Sequence, residues 1–265
     1  TSHFGIRSEL SAHSRASVSR TSGFAKRSTS WRSAAIRKLV KSGTFITPAE
    51  LELKIERIAD DVWIVRNIGG SDYASLVVAH DDGLVLLEAP VSEQAMTQAI
   101  ALLRRQFGDT PIKAAVVTHH HFDHSGGARA AMSAGARIYV PRGTEELFYR
   151  VATAPRKLGD AAGEVDPWRV QVQGVEKSVI EAKGHGPAIH LHALPKNEHA
   201  DGMLFAWIPE RKIAFQGDLV VKRGDDVEPL RPHGVLFLQT IEQLGLEVER
   251  LIGVHGDIIS RESFS

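Results

Sequence analysis

The pattern of apolar and polar residues changes abruptly near residue 50. From Leu51 onward, short apolar runs alternate with turn signals such as Asn67-Ile-Gly-Gly70 and Asp81-Asp82-Gly83. Runs of this length and spacing predict antiparallel strands joined by tight turns. The first part of the folded region is therefore predicted to be a β-meander that extends to Leu87.

A helix and a buried strand are predicted after the meander. Apolar residues recur every three or four positions from Met96 to Phe107, with Ser92 placed as N-cap and Gly108 as the stop signal. The following run, Ile112 to Val117, is short and largely β-branched or small, as a buried strand should be.

The second half of the chain repeats this plan. Strands are predicted at 137–140, 178–182, 188–193, 203–208, 212–215 and 251–254, and helices at 142–151 and 235–244. Residues 154–176 are rich in proline and glycine and are predicted to be irregular, as a lid or binding loop can be. Two halves that each combine strands with helices indicate an α/β fold.

Four potential metal ligands occur together in the segment Thr118–Gly127, in the pattern H-x-H-x-D-H. His119 and His121 are two residues apart, so in extended backbone they point the same way and can share one ion. Asp123 and His124 follow after the chain has turned, so they can face a second ion. Imidazole and carboxylate are good ligands for zinc, iron or manganese.

Three further polar residues stand next to predicted strands in the second half. His199 precedes a strand, and Asp218 and His255 each end one. A lone carboxylate beside an apolar run would be costly to bury without a partner. Together with the motif, these residues make seven candidate ligands, enough for two ions.

This set of motifs resembles the metallo-β-lactamase superfamily. The family's H-x-H-x-D-H motif matches the segment that begins at His119, and its third histidine matches His199 in His199-Ala-Asp-Gly202. Its bridging aspartate matches Gly217-Asp218, and its last histidine matches His255-Gly256. The similarity covers roughly residues 52–260, with the motifs in the family's order.

The resemblance implies a four-layer αβ/βα sandwich of two mixed β-sheets flanked by helices. It implies that His119, His121 and His199 bind one divalent ion, that Asp123, His124 and His255 bind a second, and that Asp218 bridges the two. Zinc is the expected metal, with iron or manganese as alternatives. The resemblance further implies a hydroxide held between the ions as nucleophile, with Asp123 as a catalytic residue that orients it or passes on a proton.

The bridging residue narrows the expected reaction. Many family members that hydrolyse β-lactams carry Cys or Ser at this position, whereas here it is Asp218, as in thioesterase, lactonase, phosphodiesterase and sulfatase relatives. We therefore expect hydrolysis of an ester-like bond in a small, anionic molecule. The alternatives are β-lactam hydrolysis, an iron-dependent redox enzyme on the same fold, and a binding protein with a spent site. Tyr73, Trp168 and His233 are the candidate substrate contacts.

The composition of residues 1–49 differs from that of the rest of the chain. Residues 1–49 hold nine Lys/Arg and one acidic residue, Glu9, and are expected to form a basic Ser/Arg-rich tail ahead of a hydrolase domain at 50–265. The tail lacks the apolar centre of a secretory signal, and no apolar run is long enough to span a membrane. The chain has no Cys, which excludes thiolate ligands. A cytoplasmic enzyme without a nucleic-acid partner is therefore expected.

Overall fold

The computed structural model describes residues 52–154, 165–224 and 226–263, with only the backbone at 226 and 227. The predicted basic tail at 1–49 lies outside the described residues, and so does the boundary proposed at residue 50. Within the described residues, two mixed β-sheets pack face to face and carry helices on their outer faces.

The first sheet has seven strands among the described residues, in chain order. These are β1 (Lys54–Ala59), β2 (Val62–Arg66), β3 (Ser75–His80), β4 (Gly83–Leu87), β5 (Ile112–Val116), β6 (Arg137–Pro141) and β7 (Val172–Val175). Neighbours from β1 to β4 are antiparallel, and those from β4 to β7 are parallel. The expected β-meander is therefore confirmed as the antiparallel half of this sheet.

The second sheet has the order β15-β14-β11-β10-β9-β8. Its strands are β8 (Lys177–Ile180), β9 (Ile189–Leu194), β10 (Met203–Ile208), β11 (Ile213–Gln216), β14 (Arg250–Gly253) and β15 (Ile259–Ser260). β11 and β14 are parallel, and the other neighbours are antiparallel. A separate hairpin pairs β12 (Lys222–Arg223) with β13 (Asp226–Val227).

The helices complete the four layers. They are α1 (Glu93–Phe107), α2 (Phe122–Ser125), α3 (Ala128–Ser133), α4 (Glu145–Thr153) and α5 (Pro232–Gln243). The expected cap of α1 is present, because the Ser92 side chain accepts a hydrogen bond from the Ala95 backbone N–H at 3.2 Å. No helix among the described residues is both long and apolar enough to cross a bilayer.

Three hydrophobic clusters hold the layers together. β4 shows how one strand serves two of them: Val85 and Leu87 join the cluster between the sheets, while Leu84 and Leu86 join the cluster beneath α1. A strand buried on both faces reads as a continuous apolar run. The third cluster lies between the second sheet and α5, around Phe205 and Phe237. The expected four-layer sandwich is therefore the observed fold.

Two of the predicted segments differ from the structure. Residues 154–176 were expected to be irregular, but they contain a 3₁₀ turn at Pro167–Arg169 and the edge strand β7. β7 has only four residues, one of them Gly174, so pairing with β6 rather than local pattern makes it a strand. Helix α5 begins at Pro232 and not at 235, because a proline at the first helical position needs no backbone donor.

Candidate metal centre

All seven candidate ligands converge at one edge of the two sheets. Their nitrogen and oxygen atoms form two groups, each with all atoms within 4.8 Å of one another. The first group consists of His119, His121, His199 and Asp218, and the second of Asp123, His124, Asp218 and His255. The chain therefore presents two groups of candidate donors, each of which could hold a cation, around one shared carboxylate.

Strand ends place these side chains. β5 ends three positions before His119, and β11 and β14 end two positions before Asp218 and His255. His199 lies on the connection from β9 to β10. Because β4 and β5 are parallel, as are β11 and β14, the carboxyl ends of these strands meet at one edge, where open α/β sheets place their ligands.

Asp218 faces both groups with different oxygens. Its Oδ2 lies 3.3 Å from His199 Nε2 and 3.9 Å from His119 Nε2. Its Oδ1 lies 3.0 Å from His124 Nε2 and 3.3 Å from His255 Nε2. A carboxylate arranged in this way can donate one oxygen to each of two cations.

In the first group, hydrogen bonds determine which nitrogen of His119 is free. The Thr118 hydroxyl donates to Glu88 Oε2 at 2.6 Å, so at 3.1 Å it can only accept from His119 Nδ1. Burial lowers the pKa of His119 to about 2, and the positive charge of His124 acts in the same direction. The neutral ring therefore turns a lone pair on Nε2 towards His121 Nδ1, at 3.0 Å, and His199 Nε2, at 3.1 Å.

In the second group, a buried nitrogen lacks a hydrogen-bond partner. His124 Nδ1 donates to Glu88 Oε2 at 3.1 Å. Its Nε2 is buried and close to Asp218 Oδ1, at 3.0 Å, and to Asp123 Oδ2, at 3.7 Å, but it is not aligned for a hydrogen bond with either. Buried polar atoms without a partner are rare in proteins. This atom, with the donors around it, fits a divalent cation.

The charges around the shared carboxylate favour a positive species between the two groups. Burial alone would raise the pKa of Asp218, but the nearby imidazoles of His124, His199 and His255, at 3.0–3.3 Å from its oxygens, lower it well below its usual range. Burial opposes protonation of His124, yet Asp218 and Glu88 raise its pKa to about 10. Two carboxylates thus hold positive charge at this point, and a bound cation would supply it.

Glu88 is a site residue that sequence reasoning missed. Its side chain is fully buried, and its two oxygens accept hydrogen bonds from the Thr118 backbone N–H, the Thr118 hydroxyl and His124 Nδ1. It therefore orients His124 directly and His119 through Thr118. The available signal was an acidic residue placed directly after the apolar strand β4, where a lone charge needs a partner.

Asp72 is a second missed residue. Its backbone carbonyl accepts from His255 Nδ1 at 3.0 Å, and its carboxylate accepts from the Gly256 backbone N–H and from Arg223. The carboxylate and the carbonyl together attach the loop before β3 to the last candidate ligand. Nothing in the local pattern indicated this contact, because Asp72 and His255 are 183 positions apart.

Gly217 allows the close approach of two ligand-bearing segments. A Cβ at this position would lie 2.6 Å from Thr118 Oγ1 and 3.3 Å from His119 Nδ1. Any larger residue would push the strand end that carries Asp218 away from the one that carries His119. The glycine before the aspartate therefore has a packing reason in this structure.

The three candidate substrate contacts do not share one location. The Tyr73 ring packs against the ring of His255, with centroids 4.7 Å apart. Burial raises the pKa of Tyr73, and the negative charges of Asp123 and Asp218 raise it further. His233 lines a cavity of about 200 Å³ beside the two groups of candidate ligands. Trp168 is 96% exposed and lines a different cavity, so the structure does not bring it to the cluster.

Comparisons with known proteins agree with this fold. A family model described as the metallo-beta-lactamase superfamily matches residues 68–261. A linear primary-alkylsulfatase from Pseudomonas sp. is 30% identical over 92 residues, which are 32% of this chain and 13% of that protein. The chain therefore corresponds to a small part of the length of that relative.

Solved structures share the fold. A metallo-beta-lactamase from Pontibacter korlensis aligns with a TM-score of 0.60 at 19% identity, covering 80% of this chain and 94% of that one. A stereoselective inverting sec-alkylsulfatase from Pseudomonas sp. aligns with a TM-score of 0.54 at 17% identity, covering 78% of this chain and 39% of that one. At these identities the likeness establishes the architecture and not the substrate.

Proposed function

The chain belongs to the metallo-β-lactamase superfamily, and on that premise we propose that it is a hydrolase with a dinuclear metal centre that cleaves an ester-like bond in a small molecule. One observation carries the proposal. The two oxygens of Asp218 face two separate sets of imidazole nitrogens at 3.0–3.9 Å. This arrangement is suited to bridging two ions.

Zinc is the proposed metal at both positions. The donors are imidazole nitrogens and carboxylate oxygens, with no thiolate in the chain, and this donor set suits zinc at neutral pH. His119, His121 and His199 would hold one ion, Asp123, His124 and His255 the other, and Asp218 both. When bound, two such ions lower the pKa of a coordinated water and stabilise the negative charge that develops on the substrate.

Asp123 is proposed as the catalytic carboxylate. Its side chain keeps about a quarter of its surface exposed, and its Oδ2 lies 3.7 Å from His124 Nε2 and 4.0 Å from His255 Nε2. An oxygen at this border between the cluster and solvent can hold the proton that the attacking water gives up.

Asp123→Asn is expected to lower kcat by about 10²–10⁴-fold, the usual contribution of a positioned acid–base group. Metal occupancy at the group formed by His119, His121 and His199 should stay close to that of the wild type. The check is turnover measured beside metal content. Retained turnover would remove Asp123 from the mechanism.

The cavity beside the cluster supports an amphiphilic anion as substrate. It is lined by His199, Asp218 and His255 together with an apolar wall, two arginines and Glu228. Val221, Pro229 and Leu230 present apolar surface in this wall, whereas Leu219 and Val220 are buried. Arg223 is paired with Asp72 and Glu228, whereas Arg231 forms no ion pair within the described ranges, so its charge is available to an anionic group.

Sulfate esters are the ester class that we favour. The relative that is 30% identical over 92 residues is a linear primary-alkylsulfatase. A sulfate group next to Arg231 with an alkyl chain along the apolar wall would match the cavity in charge and in polarity.

The test is a panel of substrates offered to protein purified with its own metal. The panel contains alkyl sulfates, phosphodiesters, thioesters, lactones, carboxylic esters and β-lactams, and metal content is measured on the same sample. We expect two equivalents of zinc and turnover of an ester-like compound that a chelator abolishes. Bound iron with oxygen uptake and no hydrolysis would instead favour the redox alternative, and a protein without metal would contradict the proposal.

A further inference from the structure

The histidines of the candidate centre differ in what holds their rings. His119, His124 and His255 each use Nδ1 in a hydrogen bond, with Thr118 Oγ1, Glu88 Oε2 and the Asp72 carbonyl respectively. Such outer partners orient a ligating ring and increase its basicity. For His199, no residue in the described part of the chain hydrogen-bonds to Nδ1.

A buried imidazole takes the place of that partner. The ring of His233 lies against the ring of His199, with centroids 4.9 Å apart and planes at 53°. His233 is 3% exposed, so it has little room to move away. The His199 ring therefore packs against three imidazole rings, those of His233, His119 and His121.

His233 is itself held by the residue that precedes His199. Glu198 Oε1 accepts hydrogen bonds from His233 Nδ1 at 2.9 Å and from the His233 backbone N–H at 3.2 Å. The second of these satisfies a donor at the N-terminus of α5, so Glu198 also ties the helix to the His199 loop. Gly234 allows the start of α5 to lie close to the segment that follows Asp218, because a Cβ there would lie 2.3 Å from the Leu219 carbonyl oxygen.

We propose that Glu198 and His233 form a positioning unit that fixes the ring of His199 and so supports metal binding by the first group alone. The inference rests on the proposed function, because it takes His199 to be a metal ligand. His233 acts through His199 and is a positioning residue. The second group, with Asp123, His124 and His255, has its own partners and does not depend on the unit.

The experiment is a chelator competition that measures the affinity of each bound metal, with the visible spectrum of the cobalt-substituted protein as a second readout. His233→Ala is expected to lower the affinity for one ion by about 10–100-fold, the usual cost of losing an outer partner, and to leave the affinity for the other unchanged. His233→Phe keeps the ring contact and should lose less metal affinity than His233→Ala. Glu198→Gln keeps the acceptor oxygen and should resemble the wild type, whereas Glu198→Ala should resemble His233→Ala.

His185→Ala is the matched control. His185 is an exposed histidine paired with Asp61, and it precedes β9 while His199 follows that strand. It should bind metal as the wild type does, and thermal unfolding of the metal-free variants would show that each is folded.

Two failures can be told apart. If the wild type binds two ions and His233→Ala binds them with the same affinities, the positioning unit is wrong while the proposed function stands. An equal loss of affinity for both ions in a folded His233→Ala protein would also overturn the positioning unit. If the wild type binds no metal, the proposed function itself fails.

Discussion

Asp218→Ala is expected to lose both metal ions and to abolish hydrolysis. Its two oxygens serve two different sets of nitrogens, so removing the side chain takes a donor from each group at once. Metal ions contribute several kcal/mol of transition-state stabilisation, which corresponds to a loss in kcat of roughly 10³-fold or more. Metal content and turnover of the purified variant are the measurements.

A control and a conservative variant sharpen this prediction. Asp60→Ala removes an exposed aspartate that pairs only with Arg57 among the described contacts, and it should keep metal and activity. Asp218→Asn retains one oxygen and should bind less metal than the wild type but more than Asp218→Ala. Two equivalents of metal in Asp218→Ala would show that this carboxylate does not bridge.

Glu88→Ala is expected to destabilise the protein and to weaken metal binding together. The substitution leaves three buried donors without an acceptor, namely the Thr118 backbone N–H, the Thr118 hydroxyl and His124 Nδ1. Removing one partner of a buried charged pair costs roughly 3–5 kcal/mol, and loss of an outer partner lowers metal affinity by about 10–100-fold. Chemical denaturation of the metal-free protein gives the first quantity, and chelator competition gives the second.

The comparison variants for Glu88 are Glu88→Gln and Glu56→Ala. Glutamine keeps one acceptor but turns a donor towards the donors of this site, so an intermediate effect is expected. Glu56 is exposed on β1 and touches Arg66 at 3.9 Å, and its removal should change neither quantity. A Glu88→Ala protein as stable as the wild type would mean that another group or water satisfies these donors.

Much of the fold could be predicted from the chain because its elements have strong local signals. The apolar strands at Leu84–Leu87 and Ile112–Val116 and the capped helix that follows Ser92 are present in the structure. β7 and β15 were not predicted: Gln173 and Gly174 interrupt the apolar pattern of β7, β15 has only two residues, and both depend on pairing with a neighbour. Local pattern identifies a strand only when the run is long enough to show its period.

The candidate ligands could be named from the sequence because their chemistry and spacing are unusual. Their metal-binding role stays a prediction, but the structure brings all seven to one edge. Trp168 shows the opposite case: an aromatic residue in a proline- and glycine-rich segment suggested a pocket, and tertiary structure turns it to solvent. An exposed or buried position depends on packing with distant segments, which a single local window does not contain.

By itself the amino-acid sequence determined most of the strands and helices and the identity of the candidate donor residues, since both are local properties of the chain. Only the tertiary structure decided that Glu88 and Asp72 hold candidate ligands in place and that Glu198 and His233 pack beside His199. These contacts join residues about 35 to 180 positions apart. They form where strands from two sheets end at a common edge, and no periodicity in the sequence records which ends will meet.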